Sequence, residues 1–214
     1  AYGFTGSQVE THIELNSFHT PFWDTFFKYI TEFGGNLPFI LIGIFMLFNL
    51  RDGLFLLLGQ GICSLITQIF KYTCCHPRPL TLFNSLGIDL PLTVEGVHIW
   101  DAFNSFPSGH TQGFATWSSF FALKFKKTWL SILVSILIAS VAISRLYLGV
   151  HYPGDVIVGI LLGVGISILG NYLFKKVKDL KKIYLWTFLI LTPFIVCFAC
   201  IADPLFADMF KTFG

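Results

Sequence analysis

The sequence predicts an all-α fold: a polytopic membrane helix bundle of about six transmembrane helices, with an N-terminal interfacial helical segment. Three observations predict it. Hydrophobic residues make up 54% of the chain and charged residues only 12%, where soluble domains carry about a quarter charged residues. Apolar runs recur along the whole length. Most of the Lys and Arg residues gather in alternate connections between those runs, as they do in membrane proteins.

Residues 8 to 33, QVETHIELNSFHTPFWDTFFKYITEF, mix Phe, Trp and Ile with charges and read as an interfacial amphipathic segment. A helix simply packed on the bundle is the alternative. Candidate spans follow near 36–50, 54–70, 109–123, 129–144, 154–174 and 183–202. Several are shorter than the roughly 20 residues of a full crossing, so their ends are expected to extend into polar flanks. Arg51 and Asp52 allow only a tight turn between the first two, and Pro193 is expected to kink the last. Gly159 and Gly163 form a small-xxx-small pair, read as a close packing face. No linker or repeat divides the chain. It reads as one domain, 1–214, with an amphipathic segment at 1–35, a helix bundle at 36–182, and an extra span and tail at 183–214.

Six spans put Arg51, the Lys124, Lys126 and Lys127 segment and the Lys175 to Lys182 segment on one side of the membrane. The positive-inside rule makes that side cytoplasmic. The N-terminus, the 71–108 loop, the 145–153 loop and the C-terminus then face outward. An outward N-terminus must be translocated, and the chain opens with AYGFTG, so a signal peptide or an upstream span is expected. The net charge of +2 gives no sign of a nucleic-acid partner. Cys63, Cys197 and Cys200 read as buried small hydrophobes, and Cys74 and Cys75 are given no role. No spacing of His and Cys suggests a metal site.

Three polar clusters fall at span ends on the outward side: KYTCCHPRPL with Lys71 and Arg78, FPSGHTQG with Ser108, Gly109 and His110, and SRLYLGVHYPGD with Arg145, His151 and Asp155. Three cations near one point repel unless an anion joins them. Arginine grips phosphate oxygens bidentately, and lysine adds a point charge. A Ser-Gly pair at a helix start offers backbone N–H groups to an anion. Pro153 suits a first helical turn, which places Asp155 within reach of the His151 imidazole. A carboxylate on one ring nitrogen fixes the tautomer and leaves the other nitrogen free to attack phosphorus. His110 is then the candidate acid for the departing oxygen.

The spacing Lys71 to Arg78-Pro79, the run Pro107-Ser108-Gly109-His110, and Ser144-Arg145, His151 and Asp155 resemble the three motifs of the type 2 phosphatidic acid phosphatase superfamily. The resemblance covers residues 71–155. It implies that Lys71, Arg78, Ser108, Gly109 and Arg145 hold phosphate, that His151 forms a phosphohistidine oriented by Asp155, and that His110 protonates the leaving group, with no metal or other cofactor. Members usually have one more span before the first motif, whereas this chain has an apolar span after the core.

A phosphate site at outward helix ends implies a substrate whose headgroup meets the site while its tails stay in the bilayer. The candidates are an undecaprenyl diphosphate, a lipid A phosphate, phosphatidylglycerol phosphate and phosphatidate, cleaved at the periplasmic face of a bacterial inner membrane. Residues 80–106, with Trp100 and Phe103, are a candidate lid. The rival readings are a lipid or anion transporter, with polar residues such as Gln60, Thr67 and Ser118 lining a path, and a non-catalytic lipid-binding protein on the same fold. A vanadate haloperoxidase shares the motifs, but those relatives are soluble.

Overall fold

The protein is described by a computed structural model at residues 10, 14, 18–35, 37–85, 87, 103–176, 179, 181–182, 184–190 and 192. Among these residues there are helices and no strand, as the sequence predicts. Helix α1 spans Pro21–Glu32. It starts where Thr20 caps the Trp23 amide and Pro21 fills the first helical position, whose N–H needs no partner. After a turn at Phe33 to Gly35, α2 runs over Leu37–Phe48, bent 43° from α1. Helix α3 follows almost at once as Leu50–Cys74, with Asn49 accepting from the Asp52 amide. The short α4 is Pro79–Ser85. The remaining long helices are α5, Gly109–Phe125, α6, Thr128–Tyr147, and α7, Pro153–Phe174.

Helix α5 is the axis of the bundle. It packs most extensively against α7, and also against α6 and α3. Phe114 and Ala115 meet Val134, Ile138 and Val141 of α6, while Phe120 meets Ile42 and Leu56. Gly159 and Gly163 let α7 approach α5 backbone to backbone: a Cβ on Gly163 would stand 2.6 Å from the Gln112 carbonyl oxygen, and one on Gly159 2.8 Å from that of Ser108. The small-xxx-small pair is therefore the close packing face it was expected to be. Cys63 is fully buried, and Cys74 and Cys75 are exposed thiols.

Among the described residues three stretches are long and apolar enough to cross a membrane: Leu50–Phe83, Thr128–Tyr147 and Pro153–Leu173, with a fourth if the bent α1–α2 pair crosses as one broken span. The expected 36–50 span is a 12-residue helix, about 18 Å long at 1.5 Å per residue, which reaches membrane thickness only together with α1. The expected 109–123 span is a 17-residue helix enclosed by its neighbours. That enclosure explains how a membrane helix carries buried Thr111, Gln112, Thr116, Ser118 and Ser119. Most of 183–202 and most of the 80–106 segment, including Trp100, lie outside the described residues.

An ion pair between Lys124 and Asp52 joins the α2–α3 turn to the end of α5, so the Arg51 turn and the Lys124 to Lys127 connection sit at one end of the bundle. The starts of α5 and α7 and the ends of α3 and α6 lie at the other. All three polar clusters are there.

Candidate active site

Each cluster is placed by a helix end. Lys71 lies in the last turn of α3, where its charge complements the negative end of the helix. Arg78 immediately precedes α4, and Arg145 lies in the last turn of α6. Ser108 is the N-cap of α5, its hydroxyl 3.4 Å from the Thr111 amide and 2.9 Å from the Thr111 hydroxyl. His151 lies in the short connection before α7, and Asp155 is the third residue of that helix.

The structure brings these residues together. Asp155 Oδ2 accepts from the Tyr152 amide at 2.9 Å and the Ser105 hydroxyl at 2.5 Å, and lies 3.4 Å from His151 Nδ1. His151 Nε2 stands on the opposite edge of the ring, 3.5 Å from Arg78 Nη1. Arg78 is itself fixed by donating to the Val150 carbonyl at 2.9 Å. The Ser108 amide donates to the Asp155 carbonyl at 3.0 Å, which ties the start of α5 to the start of α7. Lys71 Nζ is 4.0 Å from where a Gly109 Cβ would stand. His110 is half-buried and lies within electrostatic reach of Arg145, His151, Lys71 and Arg78.

Burial decides the state of the imidazole. His151 is 2% exposed, and burial lowers its pKa from 6.5 to about 3; the Asp155 bond pulls it up, and the charges of Arg145 and Arg78 push it down further. The ring is therefore neutral at physiological pH. With a proton on Nδ1 facing the carboxylate, the Nε2 lone pair points toward the Arg78 guanidinium. A neutral ring nitrogen beside the charges of Arg78 and Arg145 is an arrangement that suits a tetrahedral anion. Among the described residues no group of His, Cys, Asp and Glu is disposed to hold a metal ion.

Residues 52–179 match the PAP2 superfamily, over more than half of the chain. The chain belongs to the PAP2 superfamily. Over 170 residues it is 28% identical to a lipid A 4'-phosphatase of Bacteroides thetaiotaomicron, covering 73% of each chain. It is also 28% identical to an undecaprenyl-diphosphatase of Sulfolobus acidocaldarius, over 72% of this chain and 74% of that one. Its fold matches the crystal structure of a transmembrane PAP2-type phosphatidylglycerolphosphate phosphatase from Bacillus subtilis with a TM-score of 0.66 at 27% identity, over 81% of this chain and 87% of that one.

In this PAP2 protein three neighbours of the site escaped the sequence reading. Ser105 holds the carboxylate that faces His151. Thr31 accepts from Arg145 Nη1 at 2.6 Å, and Glu32 acts on the Arg145 charge. Ser105 lies beside the PSGH run and was the easier to suspect. Nothing in the sequence links Thr31 to a residue 114 positions away.

Proposed function

We propose that this membrane-embedded lipid phosphatase releases phosphate from a lipid phosphate or diphosphate through a phosphohistidine, without metal, at the periplasmic face of a bacterial inner membrane. One observation carries the mechanism: the two ring nitrogens of buried His151 face opposite partners, Asp155 on one side and Arg78 on the other. The phosphoryl group sits among Arg78, Arg145, Lys71 and the start of α5 at Gly109. Ser108, whose amide is given to the Asp155 carbonyl and whose hydroxyl meets Thr111, shapes that helix start rather than offering its own amide as the sequence suggested. His151 Nε2 attacks phosphorus, and the bond from phosphorus to the lipid oxygen breaks. His110 gives that oxygen its proton. The imidazolium formed on His151 is stabilised by Asp155 through Nδ1–H. Water, losing a proton to His110, then attacks phosphorus and breaks the P–N bond, which releases phosphate and restores both histidines.

The outward placement rests on the basic connections at the far end of the bundle, joined by Asp52 and Lys124. The named relatives act on a lipid A, an undecaprenyl diphosphate and a phosphatidylglycerol phosphate. They share a polar phosphate on a membrane anchor, which is the substrate class proposed for this chain.

Transport has one observation in its favour. A file of buried polar side chains runs along α5 from the site, with Gln112 and Thr116 bonded to each other, Thr67 donating to Gln112, and Ser167 donating to the Thr116 carbonyl. These groups mostly satisfy one another, as interior polar groups of a bundle must. The test is phosphate release by the purified protein in mixed micelles containing EDTA. The panel is an undecaprenyl diphosphate, lipid A, phosphatidylglycerol phosphate and phosphatidate, with His151→Ala as control. Release that disappears in the variant supports the proposal. Release that needs added metal, or survives in the variant, overturns the mechanism, and no release from any lipid favours the transporter.

A further inference from the structure

We infer that Thr31, on the N-terminal helix α1 and far outside the three motifs, is a positioning residue that sets the plane of the Arg145 guanidinium for phosphate. The inference rests on the phosphate-binding role proposed for Arg145.

The argument begins with how α1 is held. Its inward face meets the C-terminal end of α6, where Phe27 packs on the Tyr147 ring with centroids 4.6 Å apart. The Tyr147 hydroxyl donates to Asp24 Oδ1 at 2.6 Å, and the Thr20 amide reaches the same hydroxyl at 3.3 Å. His19 Nδ1 adds a contact of 2.8 Å to Asp24. One turn further along lies the α1–α2 connection, where Gly34 backs onto the site: a Cβ there would stand 2.6 Å from the His110 carbonyl oxygen. Thr31 is thus carried to the site by a docked helix, and it is 6% exposed.

Arg145, two residues before Tyr147, is 7% exposed. Its Nη1 donates to Thr31 Oγ1 at 2.6 Å, while its Nε is buried and has no hydrogen-bond partner among the described residues. A guanidinium is planar with donors in a fixed fork, so tying one nitrogen sets the direction of the others. An unpaired buried donor is costly unless something fills it. Thr31 therefore holds one corner of the guanidinium and leaves the Nε edge facing an anion. A threonine hydroxyl suits this task because it accepts the bond without placing a second negative charge, beside that of Glu32, to compete with phosphate. Glu32 supplies the nearby negative charge that steadies the guanidinium.

The experiment compares the full chain with Thr31→Val, which keeps the shape and removes the hydroxyl, and Thr31→Ser, which keeps the hydroxyl and removes the methyl. Inorganic phosphate affinity is read by titration calorimetry in detergent micelles, alongside thermal unfolding and kcat and KM on a lipid phosphate. Thr31→Val is expected to weaken phosphate binding and lower kcat/KM by about tenfold, the loss of roughly one well-placed bond, with an unfolding temperature close to that of the unmodified chain. Thr31→Ser is expected to stay within about twofold on both readouts. Unchanged phosphate affinity in Thr31→Val overturns the inference. So does an equal loss in both variants, which would make Thr31 a packing residue. If the unmodified chain binds phosphate but hydrolyses no lipid, the enzymatic reading fails while the calorimetry still decides the role of Thr31.

Discussion

The Ser105 hydroxyl donates to Asp155 Oδ2 at 2.5 Å across 50 residues of chain. Ser105 is wholly buried, and the same oxygen also receives the Tyr152 amide and faces His151 Nδ1. Three donors around one oxygen fix the carboxylate before it can orient the imidazole. A hydrogen bond to a charged group is worth about 1.5–3 kcal/mol, so Ser105→Ala is expected to lower kcat by about ten- to a hundredfold. Steady-state kinetics on a lipid phosphate check it, and a variant at full rate would show that the Tyr152 amide alone suffices.

Asp155→Asn is the sharper test of the same pair. An amide nitrogen facing Nδ1 cannot accept its proton, and the favoured tautomer then places the proton on Nε2, where the proposed mechanism needs a lone pair. In other His–Asp pairs this change costs about four orders of magnitude. A comparable fall in kcat with phosphate affinity retained is expected. A loss below about tenfold would reduce Asp155 to a cap on the first turn of α7.

The buried imidazole also makes stability depend on pH. In the folded protein His151 takes a proton only near pH 3, whereas in the unfolded chain it does so near 6.5. Between those values the unfolded chain binds more protons at this residue, so the His151 contribution to stability rises with pH through that window and is level above it. Thermal unfolding in detergent from pH 4 to 8 is expected to show this slope, and His151→Gln is expected to flatten it. An identical slope in the variant would assign it to other groups.

Why some of this was legible in the sequence and some was not follows from distance along the chain. His151 and Asp155 lie four residues apart across Pro153, and the start of a helix fixes their geometry locally. Ser108 as an N-cap and the Gly159–Gly163 face are likewise set by short-range rules. The apolar run of α3 ends at residue 70, and the helix extends into its polar flank as expected, to Cys74, with Lys71 in its favourable last turn. The docking of α1 was open between membrane surface and bundle. It is decided by Asp24 meeting Tyr147 across 123 residues and Thr31 meeting Arg145 across 114. Threonine and tyrosine carry no signal at such separations, since tertiary packing alone brings them together.

At the far end of the bundle, the Asp52–Lys124 pair joins two turns away from the chemistry. Both side chains keep some exposure, 15% for Asp52 and 28% for Lys124. Asp52→Asn is expected to cost about 1 kcal/mol of stability or less and to leave kcat unchanged. Unfolding and kinetics measured together check this, and a large fall in kcat would mean that the two ends of the bundle are coupled.

Helix α7 offers a test of how closely the site depends on backbone contact, because three of its glycines meet different surroundings. A Cβ at Gly159 would press on the Ser108 carbonyl at 2.8 Å, one at Gly163 on the Gln112 carbonyl at 2.6 Å, and one at Gly165 would meet nothing within 4 Å. Neither carbonyl can yield without moving α5, so alanine at either crowded position must push the two helices apart. Overpacking of this kind costs about 1–3 kcal/mol. Gly159 lies beside the Ser108–Asp155 tie, where a small displacement separates the PSGH turn from His151. Gly163 lies one turn deeper. Gly159→Ala is therefore expected to lower both the unfolding temperature and kcat by more than tenfold in rate, and Gly163→Ala mainly the unfolding temperature. Gly165→Ala, entering open space on a helix, is expected to be neutral or to stabilise by up to about 1 kcal/mol. Unfolding and kinetics of the three variants side by side provide the measurement. Equal behaviour of Gly159→Ala and Gly165→Ala would show that α7 slides on α5 without disturbing the site.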